Sequence, residues 1–371
     1  MSIDRKLDDW VAAGLIDPAA ADRIRAHEAS GSRPTALWAI AGLGLLALAL
    51  GILLVISANW DRITDEAKLG VHMALLAAAG AAHLLARRRG LRWPAEAALF
   101  LFAALVLGGI ALQAQVFQLT GPAWHALLLW LALVAPALLI GGETRLTGTL
   151  FAAAALLGPI AMAADTVDRG GAWRLAQGAT MAVPALLIGL SFLPRLLPTG
   201  FRLALRQAGI LVSLAAASIA HFAWASRITP AQAGDNALRF LPPLLAALAA
   251  LALARRSDEL PRELHLPLLA GPVLSAALAL AIPHPDTLVS RLAGVLVFIA
   301  LWAAIARAAA ASSWNALFAV AIAAIGLRIF IIYLELFGSL AATGGGLMLG
   351  GALLVALSFA WHRIVGGRRT P

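Results

Sequence analysis

The chain has 371 residues, of which 61% are hydrophobic and only 13% charged, with a mean hydropathy of +0.88. A soluble domain is about 45–50% apolar and 25% charged, so a soluble globule of this size is excluded for want of polar surface to cover the apolar residues. The net charge of +9 would suit nucleic acid in a soluble chain, but here the arginines flank long apolar stretches, and the absence of Cys excludes disulfides, thiolate nucleophiles and cysteine metal sites.

Residues 1–34 form the one sizeable polar segment. Ile3, Leu7, Trp10 and Val11 fall at helical spacing with Asp4, Asp8 and Asp9 between them, which predicts a short amphipathic helix. Gly14 is placed to end it. Asp17 followed by Pro18 supplies an N-cap and a first-turn proline for a second helix through Ile24 to about Ala29. The expected result is a cytoplasmic helical hairpin. It is too small for a stable core of its own, so Leu7 and Trp10 are the candidate residues for docking on the membrane or on a protein partner. The uncharged stretch from Thr35 to Trp60 is longer than the apolar core of a cleaved signal, so it reads as a retained first span.

Eleven further apolar stretches follow: Leu69–Ala86, Ala97–Leu119, Ala123–Gly141, Leu146–Ala164, Leu175–Leu193, Gln207–Ser226, Ala237–Ala254, Leu266–Ile282, Leu292–Ala306, Ala316–Phe337 and Leu340–Trp361. The eighth to tenth are short, and Pro242, Pro243, Pro267 and Pro272 interrupt two of them or their entrances. With twelve crossings, twenty basic residues fall in loops on one side and seven on the other, while Arg328 lies inside a span. An excess of Arg and Lys marks the cytoplasmic side, so the expectation is an all-α, polytopic bundle of about twelve spans over 35–362, with a basic tail at 363–371 and both termini cytoplasmic in a bacterial inner membrane.

Motifs for chemistry are missing. There is no phosphate loop after a strand, no HExxH pair and no GxSxG elbow, so the sequence nominates no catalytic residue, cofactor site or metal site. His72 and His83 share a face of the second span but lie roughly 16 Å apart, too far for one metal. The Gly344-Gly345-Gly346 run fits tight helix packing or a turn.

Arg328 is the sharpest polar feature. At mid-span an ionisable side chain costs about 2.5–3.5 kcal/mol, so it should face the bundle interior, with Glu335, two turns away, as the nearest acidic partner. Its structural reading is an ion pair or a snorkelling arginine, and its functional reading is an anion or headgroup contact in a cavity. Gln113, Gln115 and Gln118 close the third span, either lining a polar cavity or making interhelical and interfacial bonds. Asn59-Trp60-Asp61 places Trp at headgroup level with helix-ending residues beside it, which predicts an interface anchor and a tight turn, against a substrate-binding role.

Two segments carry a resemblance. Leu7-Asp8-Asp9-Trp10-Val11-Ala12-Ala13-Gly14-Leu15-Ile16-Asp17, followed by an uncharged span ending in Ser57-Ala58-Asn59-Trp60-Asp61, resembles bacterial membrane proteins of domain of unknown function 2157. The specific likeness covers about the first 70 residues. The resemblance implies a multipass membrane protein with a short cytoplasmic helical head, and it supplies no reaction or substrate.

The leading expectation is therefore a noncatalytic scaffold, sensor or regulator in contact with membrane lipids and with a protein partner through the hairpin. The alternative is a transporter or lipid-handling protein with a cavity between proline-broken helices. An enzyme lacks a nucleophile, acid–base pair or metal constellation, and a nucleic-acid binder lacks a continuous basic face.

Overall fold

The computed structural model describes residues 3–31, 60–166, 173–225, 237–281 and 287–336, with scattered positions elsewhere. All regular structure among the described residues is helical. The chain divides into two compact units, Met1–Lys68 and Leu69–Pro371.

In the first unit, α1 (Ile3–Ala12) and α2 (Pro18–Gly31) form the expected hairpin. Gly14 has φ +68°, the Leu15 N–H donates to the Trp10 carbonyl at 2.9 Å and the Gly14 N–H to the Val11 carbonyl at 3.0 Å. This pair of bonds closes α1 in a left-handed glycine cap that satisfies its last carbonyls. The Asp17 carboxylate accepts from the Ala20 N–H and so caps α2, which Pro18 opens. Arg25 then bridges the hairpin to Asp8 at 2.5 Å. Leu7 and Ala21 are fully buried, whereas Trp10 remains 43% exposed. Leu7 therefore does not share an open docking face with Trp10 as expected, because its side chain is buried. Trp60–Arg62 makes one tight helical turn, and the Lys68 ammonium sits 4.9 Å from the Trp60 ring centroid. Asp61 is exposed, and Asn59 lies outside the described residues.

From α3 (Asp65–Arg88) onward the chain runs as an up-and-down bundle. It continues through α4 (Arg92–Val116), α5 (Ala123–Gly141), α6 (Arg145–Asp165), α7 (Trp173–Ser191), α8 (Thr199–Ala225) and α9 (Ala237–Ala254). The short α10 (Arg262–His265) leads through a wide helical turn at Leu266–Ala270 into α11 (Gly271–Ala281), followed by α12 (Leu288–Ala311) and α13 (Asn315–Leu336). Among the described residues, seven helices are long and apolar enough to cross a membrane: α3, α4, α5, α6, α8, α12 and α13 up to Ile332. α7 and α9 occupy the sixth and eighth predicted spans, and the wide turn with α11 occupies the ninth, interrupted at Pro267 as its sequence suggests. The tenth proves longer than expected, 24 residues, because Thr287 and Ser290 form a reciprocal capping box ahead of its apolar run. Most of the first and twelfth predicted spans, and the Gly344–Gly346 run, lie outside the described residues.

Three buried clusters fill the bundle. One joins Leu99, Trp130, Val134, Leu138, Phe151 and Phe201 from α4, α5, α6 and α8; another joins Leu251, Leu264, Phe298, Trp302 and Ile305 with residues from α7 to α13; a small third packs alanines of α7 against alanines of α9. Close helix approach is set by small residues. A Cβ built on Gly148 of α6 would lie 2.8 Å from the Phe201 backbone of α8, so only glycine allows the two backbones this near.

The arginine-rich ends of these helices gather together. Arg87 donates to the Ile140 carbonyl at 3.2 Å and Arg202 to the Ser191 carbonyl at 3.2 Å, each at the C-terminal end of a helix where the carbonyls lack partners. Arg202 and Arg206 share Glu259, the latter at 3.1 Å. At the same end the buried Glu96 carboxylate of α4 accepts from the Glu143 N–H at 2.6 Å, the Thr144 N–H at 3.3 Å, the Thr144 hydroxyl at 2.5 Å and the Thr147 hydroxyl at 2.7 Å. A carboxylate is thus held at the N-terminus of α6, where unpaired N–H groups and the helix dipole favour negative charge.

A candidate site walled by four prolines

Proline removes a backbone donor and its ring displaces the carbonyl one turn earlier, so a proline inside a helix bends it away from ideal packing. Pro159 of α6, Pro184 of α7 and Pro243 of α9 each lie inside a helix, and Pro272 opens α11 just after the wide turn. All four face a single cavity of about 210 Å³. Alanines on α8 complete the wall, among them Ala216, Ala217 and Ala220, and Phe240 and Met181 flank it. The lining is apolar apart from Thr180 and Ser213, and the Thr180 hydroxyl already donates to the Gln177 carbonyl at 2.7 Å. A lining this apolar offers a hydrated ion no polar groups to replace its water, so the space suits a hydrocarbon.

Its position follows from the helix directions. Leu156–Ala163 lies in the second half of α6 and Phe240–Pro243 in the first half of α9. The cavity therefore occupies the middle and the arginine-poor half of the bundle.

The residues singled out from sequence do not line it. Arg328 is only 2% exposed and so is buried. Its guanidinium carbon lies 5.4 Å from the Phe222 ring centroid, a cation–π contact. Phe222 stands about 200° around α8 from Ala220, so this contact is on the side of α8 turned away from the cavity. Glu335 belongs to α13, and its side chain lies outside the described residues. Beside Phe222, the His221 Nε2 is 2.8 Å from the Ser275 hydroxyl and the His221 ring meets Phe298 edge-on at 5.4 Å, which ties α8 to α11 and α12.

The three glutamines are exposed at the end of α4. Gln118 takes φ +52° and its side-chain amide donates to the Gln115 carbonyl at 2.7 Å. This is a helix ending, in line with the interfacial reading, and none of the three lines the cavity. His83 bonds the Ala95 carbonyl through Nδ1 at 2.9 Å, an ordinary interhelical contact, while the His72 ring packs against Gly109. No group of three His, Asp or Glu able to hold a metal occurs among the described residues.

Sequence reading missed Pro159 and Pro184, although an intramembrane proline is visible in the string; what the string lacks is their convergence. It also missed Glu96, which lies one residue outside a predicted span and finds its donors 47 to 51 positions away.

With a membrane bundle and an apolar cavity established, comparison with known families gives one result. Residues 8–147 match the family described as Predicted membrane protein (DUF2157). The likeness inferred from the first 70 residues thus extends through α3, α4 and α5 to the first turn of α6, and it takes in Glu96, Thr144 and Thr147. The four prolines lie beyond the matched segment. No curated protein and no solved structure matches the chain. The matched segment therefore contains most of the helical head and the carboxylate cap of α6, and the cavity lies in the remainder of the bundle.

Proposed function

We propose that this membrane protein works without catalysis, as a lipid-responsive scaffold, sensor or regulator, and that its cavity receives the apolar chain of a membrane lipid. The observation that carries this reading is the convergence of four prolines from four elements on one apolar space. Bent helices around a site near the membrane centre also occur in carriers, and that motivates the second reading, a lipid-handling protein that moves the chain between states. Passage of a polar solute gains no support from a lining whose polar groups are two hydroxyls.

The bacterial inner membrane with both termini cytoplasmic is the location proposed, supported by the twenty-to-seven basic bias and by the gathering of Arg87, Arg92, Arg202 and Arg206 at one end. Within the hairpin, exposed Trp10 is the residue offered to a protein partner or the membrane surface, with Leu7 maintaining its fold. Nucleic acid has no place in this proposal.

The test uses the full chain in lipid nanodiscs with a chain-labelled phosphatidylcholine. Ala216→Phe, which fills the cavity from α8, should remove an immobilised lipid component seen in the native protein. An identical immobilised component in the variant would overturn the cavity reading.

A further inference from the structure

At the arginine-rich end of the bundle, the turn between α3 and α4 is held rigidly. Gly90 takes φ +70°, the Leu91 N–H donates to the Ala86 carbonyl at 2.9 Å and the Gly90 N–H to the Arg87 carbonyl at 3.0 Å. These bonds cap α3 in a left-handed turn and fix the run Arg87-Arg88-Arg89-Gly90-Leu91-Arg92. Two of its arginines fasten it to the turn between α5 and α6. Arg87 donates to the Ile140 carbonyl at 3.2 Å, and Arg92 donates to the Glu143 carbonyl at 3.4 Å with its Nε 3.6 Å from the Glu143 carboxylate.

Three arginines of these two turns are left over. Arg88, Arg89 and Arg145 are exposed, and their side chains make no hydrogen bond or ion pair among the described residues. The carboxylates at hand are already committed, Glu96 to its four donors and Glu143 to Arg92. Successive residues advance at most about 3.6 Å, so the backbone of Arg89 is within about 11 Å of Arg92 and that of Arg145 within about 7 Å of Glu143. The Arg92–Glu143 contact therefore brings the three onto one surface, which flexible arginine side chains can close over a single anion. Apolar side chains flank it. Trp93 is 72% exposed beside the first turn and Ile140 78% exposed beside the second. Trp settles at headgroup level, which sets the three guanidinium groups at the membrane surface, where the phosphodiester of a lipid is the neighbouring anion and its acyl chains can lie against these apolar residues.

We propose that Arg88, Arg89 and Arg145 form a binding site for the headgroup of an anionic phospholipid, built by the docking of the α3–α4 turn on the α5–α6 turn. The guanidinium fork pairs with phosphate oxygens, and basic clusters between membrane helices take such headgroups. This site stands apart from the proline-walled cavity, which occupies the middle and the arginine-poor half of the bundle, and does not depend on what that cavity holds.

The experiment titrates the full chain in neutral detergent with phosphatidylglycerol or phosphatidylcholine and counts bound lipid by native mass spectrometry. Each arginine near the membrane surface contributes about a fivefold preference for an anionic lipid, so the tightest phosphatidylglycerol should weaken on the order of a hundredfold in R88Q/R89Q/R145Q. R255Q/R256Q/R262Q removes the same charge from exposed positions between α9 and α10 and should leave that lipid bound as in the native protein. R88K/R89K/R145K should retain most of the preference. Equal affinity of the native protein for the two lipids overturns the proposal and needs no variant. An equal loss in the two glutamine triples overturns it as well, since the preference would then belong to the basic end as a whole. Displacement of the bound lipid by excess inorganic phosphate would assign the arginines to a soluble anion and overturn the lipid assignment.

Discussion

Replacing Glu96 should disconnect α4 from the start of α6. Four donors converge on its carboxylate, two backbone N–H groups and two threonine hydroxyls, and Glu96 itself is 2% exposed. A hydrogen bond to a charged group contributes about 1.5–3 kcal/mol, and a buried donor left without a partner costs about 1–3 kcal/mol. These terms do not add in full, since Thr144 can turn its hydroxyl and the loop at Glu143 can reach water. Removal of one side of a buried charged network typically costs about 3–5 kcal/mol, and Glu96→Ala should fall in that range. Glu96→Gln keeps the shape but brings an NH2 group toward donors, so about half that loss is expected. The assay is equilibrium unfolding in mixed micelles, followed by tryptophan fluorescence, with amide exchange at Thr144 and Leu146 as the local readout. Thr147→Val alone should cost about 1.5–3 kcal/mol and should be non-additive with Glu96→Ala, because both delete the same bond. A loss under about 1 kcal/mol for Glu96→Ala, or strict additivity with Thr147→Val, would refute the account of Glu96 as the cap of α6.

Arg328→Leu removes a buried cation from beside Phe222, and Arg328→Met tests whether packing alone suffices. If the arginine is a structural element, both variants should lose folded protein, whereas normal yield with altered lipid response would assign it a functional role. Ser313 takes φ +59° where α12 ends, with the Trp314 N–H donating to the Ala309 carbonyl at 2.9 Å. Ser313→Gly should therefore stabilise by about 0.5–1 kcal/mol in thermal unfolding, and a destabilised variant would contradict the left-handed cap. Gly148→Val, forced against the Phe201 backbone, should destabilise by at least about 2 kcal/mol, and a neutral result would show that α6 and α8 do not approach so closely. Because the chain has no Cys, single cysteines report topology cleanly. An impermeant maleimide on whole cells should label Thr120→Cys and spare Ser257→Cys, and the reverse pattern would invert the proposed orientation. Trp10→Ala should leave the hairpin folded while Leu7→Ala unfolds it, as read by far-ultraviolet circular dichroism of the full chain against limited proteolysis of the head.

Local chemistry was legible in the sequence because it depends on near neighbours. Gly14, Asp17 and Pro18 specify the hairpin through backbone freedom, a side-chain acceptor and a fixed φ, all within four residues of the groups they serve. The apolar runs specify helices, since in hydrocarbon each backbone group must find its partner within its own segment. The burial of Arg328 was legible for a related reason, the cost of a charge facing lipid. The glutamines were legible only as alternatives, because three amides near a span end read the same whether they line a cavity or close a helix at the interface, and the turn at Gln118 marks a helix ending.

What the sequence determined by itself is an all-helical membrane protein, its hairpin and its alternation of basic loops, because those follow from solvent and local geometry. Only the tertiary structure decided that Pro159, Pro184, Pro243 and Pro272 line one space and that Glu96 reaches the start of α6. Each of these depends on which faces of distant helices meet. That choice is made by small-residue contacts such as Gly148 against Phe201, a property of two surfaces together and of neither segment alone.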